Sequence, residues 1–354
     1  MYHPAVRTAF FVEVNREAYY TDSMLGNDSV GVRPLPFIMI STAVLAALLY
    51  FFTLAAPGGN GQAQEFSIPL NATTGQTISA LASAGFIKNT IVFRVVQMVR
   101  GPIRSGGFML SDNMNAWQIA GALSGEPSLA WVVIPEGLRK EEIANILSQD
   151  LGWDASTTAH WITVDTATQY DYTEGVYFPD TYLIPRTESP AAVAQRLQKR
   201  FEEVFAPYAN EALQQNIRWP TVLRIASIVQ REAAGTSDMP LIAGIIWNRL
   251  LQNMPLDIDS TVQYARGNTG KGWWAPVAPA DLKIDSPYNT YMHTGLPPLP
   301  ICDPGLDAIN AVLHPAQTSC LYYLHDPSGQ IHCATTYAQH QQNIATYLSG
   351  AGSN

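Results

Sequence analysis

The chain has 354 residues, 47% of them hydrophobic and 14% charged, with a formal net charge of -9. That length allows about two ordinary domains, and so apolar a chain is not wholly disordered. The acidic balance excludes the basic face expected of a nucleic-acid binder, and it argues against broad adsorption of the folded part to anionic lipid.

The first element lies in a stretch from Pro34 to Gln64 that contains no charged residue. Within it, residues 36–56 (PFIMISTAVLAALLYFFTLAA) are almost wholly apolar. That matches the roughly 20 residues needed to cross a bilayer core as a helix. An amphipathic helix packed on a core would show a polar face, which is missing over the whole span. A cleaved signal would have a shorter apolar region after a short basic start, whereas a long leader precedes this one. The pattern therefore predicts a leader over 1–35 and an uncleaved membrane anchor over 36–56. The leader carries Arg7, Arg16 and Arg33, and no Lys or Arg follows until Lys88. This bias puts the leader in the cytoplasm and everything after the anchor outside the cell membrane. Gly58, Gly59, Asn60 and Gly61 predict a flexible tether, over 57–64.

Residues 65–150 repeat a short β-like stretch followed by a helix rich in small residues. The units are FSIPL with GQTISALASAG, GGFML with NAWQIAGALSGE, and AWVVIPEG with RKEEIANILSQDLG. In the last, Ile143, Ile146 and Leu147 share a helical face. Such units suit a small α+β module. Residues 151–215 are more helical. They end in an amphipathic run in which Ala192, Val193, Leu197, Phe201 and Val204 recur at helical spacing. Between them, EGVYFPDTYLIP (174–185) predicts a shaped loop packed on a core or a cleft.

The chemistry concentrates between Pro220 and Tyr291. In PTVLRIASIVQREAAG, Pro220 opens a helix and Gly235 stops it. Val222, Ile225, Ala226 and Val229 make its apolar face, and Glu232 continues that face in the last turn. A carboxyl group there can donate a proton to a leaving oxygen, as a glycosidase acid must. Turning to solvent, or pairing with Arg231 or Arg249, is the structural alternative. A second helix, PLIAGIIWNRLLQ, is capped by Ser237 or Asp238 and carries Asn248 and Arg249 near its end. In MPLDIDSTVQYARG, Asp257 and Asp259 alternate with Leu256 and Ile258. That alternation predicts an extended segment with Asp257, Asp259 and Thr261 on one face. Two carboxylates are too few for an EF-hand, so a metal site is not expected. The Pro- and Gly-rich DSPYNTYMHTGLPPLPICDPG excludes a regular helix or a central strand. Its Tyr288, Asn289, Thr290 and Tyr291 offer the aromatic faces and polar groups that bind sugars, or else simply form a turn.

Five ordered motifs resemble the endolytic murein transglycosylase (YceG-like) family: EG-x-x-FPDTY (174–182), ASIVQRE (226–232), NRL-x-x-x-MPL-x-x-D-x-T (248–261), SPYNTY (286–291) and GLPP-x-PI-x-x-PG (295–305). The tail from His314 to Asn343 is similar to that family's end, with His332 and His340 at its histidine positions. IPEG followed by RKEEIANIL is similar to LysM-like modules, which bind glycan chains. The resemblance implies an α+β fold with one N-terminal transmembrane helix, a LysM-like subdomain (65–150) and a catalytic domain (151–350). It implies a lyase that cuts the β-1,4 bond between N-acetylmuramic acid and N-acetylglucosamine of nascent peptidoglycan, leaves a 1,6-anhydro end, and ends strand elongation. Glu232 falls on the family's catalytic position, and Asn248, Arg249, Asp259, Thr261, Tyr288, Asn289, Thr290 and Tyr291 are the substrate-binding candidates. No cofactor, metal or nucleic acid is implied. The partners implied are glycan strands, the membrane and the wall synthases.

The chain departs from the family's pattern at three places: Gln230 where many members have Glu, Ser260 where Pro is common, and CATTY where a Phe-containing segment is usual. The readings left open are a hydrolase that uses water, with Asp259 as its second carboxylate, and a glycan-binding scaffold that does not cut. Three cysteines, Cys302, Cys320 and Cys333, leave at least one thiol unpaired. One disulfide is possible, and the spacing does not place it.

Overall fold

The computed structural model describes residues 35–167 and 173–348. The leader expected over 1–35, apart from its last residue, lies outside them. Contacts divide the chain after Tyr50. Helix α1 (Leu35–Thr53) covers most of the stretch where the sequence predicts an anchor. Among the described residues, no helix is long and apolar enough to cross a membrane.

From Phe51 onward the chain is one α+β body. It opens with β1 (Ala63–Ile68), α2 (Thr74–Ser83), α3 (Thr90–Arg100), β2 (Gly106–Ser111) and α4 (Ala116–Ser124). Two of these helices start on the same device. Thr73 with Gln76, and Asn115 with Gln118, form reciprocal capping boxes that satisfy the first free amides. Ile78, Leu81, Phe93, Phe108, Leu110, Ile119 and Leu123 then close a small core.

The segment expected as a flexible tether, 57–64, carries hydrogen bonds to the body, as does Leu54 just before it. The Leu54 carbonyl accepts from the Ala116 amide at 2.9 Å, and the Gly58 amide donates to the Asp112 carbonyl at 3.1 Å. The Gly61 amide donates to the Asp112 carboxylate at 3.0 Å. An added Cβ at Gly59 would collide with that carboxylate, so the glycine permits a close approach rather than slack.

The next group is β3 (Leu129–Val133), α5 (Lys140–Leu151), α6 (Ala155–Thr163) and β4 (Thr181–Pro185). The four strands form one antiparallel sheet in the order β1-β2-β3-β4. A single residue pair, Gly107 with Leu129, joins β2 to β3. The third unit of the sequence repeat therefore shares a sheet with the first two but not their core. Val132, Ile143 and Leu147 pack with Tyr177, Ile184, Leu197, Ile225 and Ile246 in a second, larger core.

That larger core is built mainly by α7 (Pro190–Gln214), α8 (Trp219–Glu232), α9 (Met239–Leu251) and α11 (Leu306–Leu313), with α10 (Asp259–Arg266) beside them. The hairpin β5 (Tyr322–His325) and β6 (Ile331–Ala334) is followed by α12 (Tyr337–Tyr347). A disulfide joins Cys320 to Cys333 across the hairpin, and Cys302 is free and fully buried.

Candidate active site

Helix α8 forms for the reasons its sequence announces. Pro220 sits in the first turn, and Val222, Ile225, Ala226 and Val229 are all 0% exposed. The helix ends at Glu232 itself, three residues before Gly235. Glu232 is therefore carried to the rim of the larger core, half-buried.

Two elements from elsewhere in the chain close on its carboxylate. The Tyr323 hydroxyl on β5 donates to Oε2 at 2.8 Å. The Ser260 amide, in the first turn of α10, donates to Oε1 at 3.4 Å. Glu232 thus faces the positive end of α10 as well as closing α8. Burial, and then the Glu232 charge, push the Tyr323 phenol far above its usual range, so it stays a donor.

Helix α10 corrects the reading of this segment. Asp257 has a positive φ of 51°, and the helix starts at Asp259, so Asp257 and Asp259 do not lie on one strand face. The cause is Arg249, which is only 8% exposed. Its Nη1 donates to the Pro255 and Leu256 carbonyls at 3.0 and 2.7 Å and to Asp257 Oδ2 at 3.3 Å. Its Nε donates to the Leu321 carbonyl at 2.6 Å. One guanidinium, with its fixed fork of donors, therefore ties the loop before α10 to the start of the hairpin.

A cleft of about 600 Å³ opens over Glu232. Arg249, Asp257, Asp259 and Tyr291 line it together with Tyr322, Tyr323, Tyr337 and His340. The Tyr291 hydroxyl donates to Asp259 Oδ1 at 2.7 Å. Burial, and then Asp259, raise the Tyr291 phenol, which fixes the direction of that bond. His340 stacks on Tyr322 with ring centres 5.4 Å apart, and burial lowers its imidazole below the ordinary range, followed by the Arg249 charge. The wall is thus rich in tyrosine rings with hydroxyls at their edges, a surface on which the C–H faces and hydroxyls of a sugar both find partners.

The predicted site residues divide into two groups. Glu232, Arg249, Asp259 and Tyr291 meet at the cleft. Asn248, Thr261, Asn289 and Thr290 do not reach its surface. Asn248 donates to the Thr318 and Cys320 carbonyls at 2.8 and 3.1 Å. One turn earlier, an added Cβ at Gly244 would collide with the Ala316 carbonyl, so the same face of α9 clasps the irregular segment that leads to the hairpin. Thr261 and Thr290 are buried, and their hydroxyls lie 2.9 Å apart. The buried Asn289 donates to the Leu282 and Ile284 carbonyls at 3.0 and 2.9 Å. Tyr288 packs on Tyr264, with ring centres 4.7 Å apart. These groups satisfy buried backbone and so shape the cleft from behind.

Asp238 is a further correction. It stands at the N-cap position of α9 without capping it. Its Oδ2 is shared instead by the Ala234 amide at 3.3 Å and the His325 ring at 3.0 Å, which draws the hairpin toward the end of α8. His332, at a position the resemblance singled out, contacts Asp326 at 2.9 Å in the hairpin turn and does not line the cleft.

Tyr322, Tyr323 and Tyr337 are the lining residues that sequence reasoning missed. A signal was available: Asp326-Pro327-Ser328-Gly329 is hairpin-turn chemistry, and it places LYYLH opposite IHCA.

Residues 66–346 match the YceG-like family. Over 319 residues the chain is 27% identical to a protein of Streptococcus pneumoniae serotype 2 named endolytic murein transglycosylase; the match covers 80% of this chain and 58% of that protein. It is 28% identical over 311 residues to a Bacillus subtilis protein of the same name, covering 80% of this chain and 85% of that one. A crystal structure of a YceG-like protein from Listeria monocytogenes superposes with a TM-score of 0.52 at 26% identity, over 80% of this chain and 99% of that one.

Proposed function

Since the chain belongs to the YceG-like family, we propose that it is an endolytic murein transglycosylase whose single acid/base is Glu232. The observation that carries this reading is the setting of that carboxylate: it ends a buried helix, opens on a sugar-sized aromatic cleft, and is held by the Tyr323 hydroxyl at 2.8 Å.

In this reading Glu232 protonates the glycosidic oxygen as the bond to the muramic C1 breaks. The 6-hydroxyl of the same muramic residue then attacks C1 and gives its proton to the Glu232 carboxylate. The nucleophile is intramolecular, so its effective concentration replaces a bound water. The product is a 1,6-anhydro end, and a strand so capped stops growing. Tyr323 and the Ser260 amide hold the carboxylate and favour the anion left after the first proton transfer. A hydrolase would need a second carboxylate free to act on water or on the sugar. Asp259 is engaged by Tyr291 and is read as orienting substrate.

The same reading places the enzyme in the cell membrane by a single span over 36–56, with its N-terminus cytoplasmic and the body outside. Support comes from the uncharged apolar run and from the exposure of Leu45 and Leu49, at 67% and 63%. The region from 65 acts as a LysM-like glycan-binding element, and the enzyme works beside the wall synthases.

Mass spectrometry of products from peptidoglycan treated with the full chain, beside Glu232→Gln, tests the activity. Anhydro ends from the first and none from the second are expected. Reducing ends would replace the lyase reading with a hydrolase and turn attention to Asp259.

A further inference from the structure

Helix α3 presents an apolar stripe that no described residue of the body covers. Ile91, Val95, Met98 and Val99 recur at helical spacing and are 75%, 58%, 76% and 68% exposed. The opposite face buries Phe93 and Val96 in the small core, so the helix is apolar on two sides. A soluble surface rarely tolerates such a stripe.

Its position says what covers it. Lys88, just before the N-cap of α3, donates to the Phe51 carbonyl at 3.0 Å and lies 4.7 Å over the Phe51 ring. The Leu54 carbonyl is bonded to the Ala116 amide, so the body grips the chain within the last residues of the apolar run. Phe51 and Leu54 belong to the apolar run itself, so little chain separates that run from the body. Charge points the same way. The whole chain is strongly acidic, yet residues 63–124 carry four basic residues (Lys88, Arg94, Arg100, Arg104) against two acidic ones (Glu65, Asp112). Arg94 is exposed beside the stripe.

We propose that α3 is an interfacial helix that lays Ile91, Val95, Met98 and Val99 into the headgroup boundary of the membrane, with Lys88 and Arg94 meeting anionic lipid. This rests on the reading of 36–56 as an anchor. The anchor fixes the chain to the bilayer, and α3 fixes the tilt of the body, and with it the height and aim of the Glu232 cleft above the surface.

The test uses the full chain reconstituted in vesicles of phosphatidylethanolamine and phosphatidylglycerol. Cys302 is buried and Cys320 is bridged to Cys333, so Met98→Cys takes an environment-sensitive fluorophore alone. Flotation reports the anchor, and quenching by spin-labelled lipid reports the docking. Expected are flotation, blue-shifted and quenched emission at position 98, and water-like emission from Leu213→Cys, a site equally exposed at 76%. Adding Val95→Glu is expected to abolish the quenching while flotation persists. Protein that floats with position 98 still water-like overturns the docking and leaves the anchor standing. Protein that fails to float overturns both. Quenching at 98 and 213 alike would mean unspecific adsorption. A blue shift that follows protein concentration without lipid quenching would mean that copies of the chain cover one another. Either result overturns the proposal.

Discussion

The Tyr323 hydroxyl and Glu232 Oε2 meet at 2.8 Å, although 91 residues separate them in the chain. The bond fixes one rotamer of the proposed acid and supports its anion. Tyr323→Phe keeps the ring and removes the donor. A hydrogen bond to a charged group is worth about 1.5–3 kcal/mol. The variant is therefore expected to lose roughly tenfold to a hundredfold in kcat with KM little changed. Steady-state kinetics on purified glycan strands checks this, and an unchanged kcat would remove Tyr323 from the mechanism.

The hairpin that carries Tyr323 is closed by Cys320–Cys333, over a separation of 13 residues. Closing a loop of that size stabilises the fold by about 3 kcal/mol through the unfolded chain. Reductant, or Cys333→Ser, is expected to lower the melting temperature by several degrees and to reduce turnover. Calorimetry and activity measured on the same samples test both parts. Cys302→Ser should leave the response to reductant intact, since that thiol is unpaired.

Arg249 is a brace before it is a ligand. Its donors serve three buried or half-buried carbonyls and Asp257. Arg249→Ala leaves these acceptors without partners and is expected to cost roughly 3 kcal/mol or more in stability. Arg249→Lys recovers only part, because an ammonium cannot reproduce the fork. Denaturant unfolding of the three proteins gives the order wild type, Lys, Ala. A stable but inactive Ala variant would instead make Arg249 a substrate ligand only.

A pH dependence arises behind the site. Glu174 and Asp303 are both 0% exposed. Burial, then the Asp303 charge, raises Glu174 well above the usual carboxylate range, and burial raises Asp303. In the folded state the pair holds a proton that the unfolded chain releases near pH ~4. The stability it contributes is full below that pH and is lost as pH rises through the raised folded values. Unfolding free energy is therefore expected to fall from mildly acidic toward alkaline pH, and Asp303→Asn should flatten the slope. Urea titrations across that range measure it, and equal slopes would acquit the pair.

What local pattern can say, it said well for α8. The spacing of Val222, Ile225, Ala226 and Val229 announced the buried face, and Glu232 followed from it by counting turns. The hairpin is equally legible in Asp326-Pro327-Ser328-Gly329. Alternation misled at Asp257 and Asp259. There Arg249, from another helix, takes the Pro255 and Leu256 carbonyls and bends the chain into α10.

The sequence by itself determined α8 and α9, the carboxylate that ends α8, the uncharged apolar run and the motif order that points to the family. Each of these rests on periodicity or composition within a few turns of chain. Only the tertiary structure decided which polar groups face the cleft. Asn248, Thr261, Asn289 and Thr290 are the right kinds of residue for holding a sugar, but buried carbonyls, amides and a neighbouring hydroxyl claim them first. Tyr323 reaches Glu232 only because the Arg249 guanidinium, the Asp238–His325 contact and the Cys320–Cys333 bridge hold a distant hairpin against α8. Hydrogen-bond satisfaction is a long-range condition on the whole fold, and no window of sequence contains it.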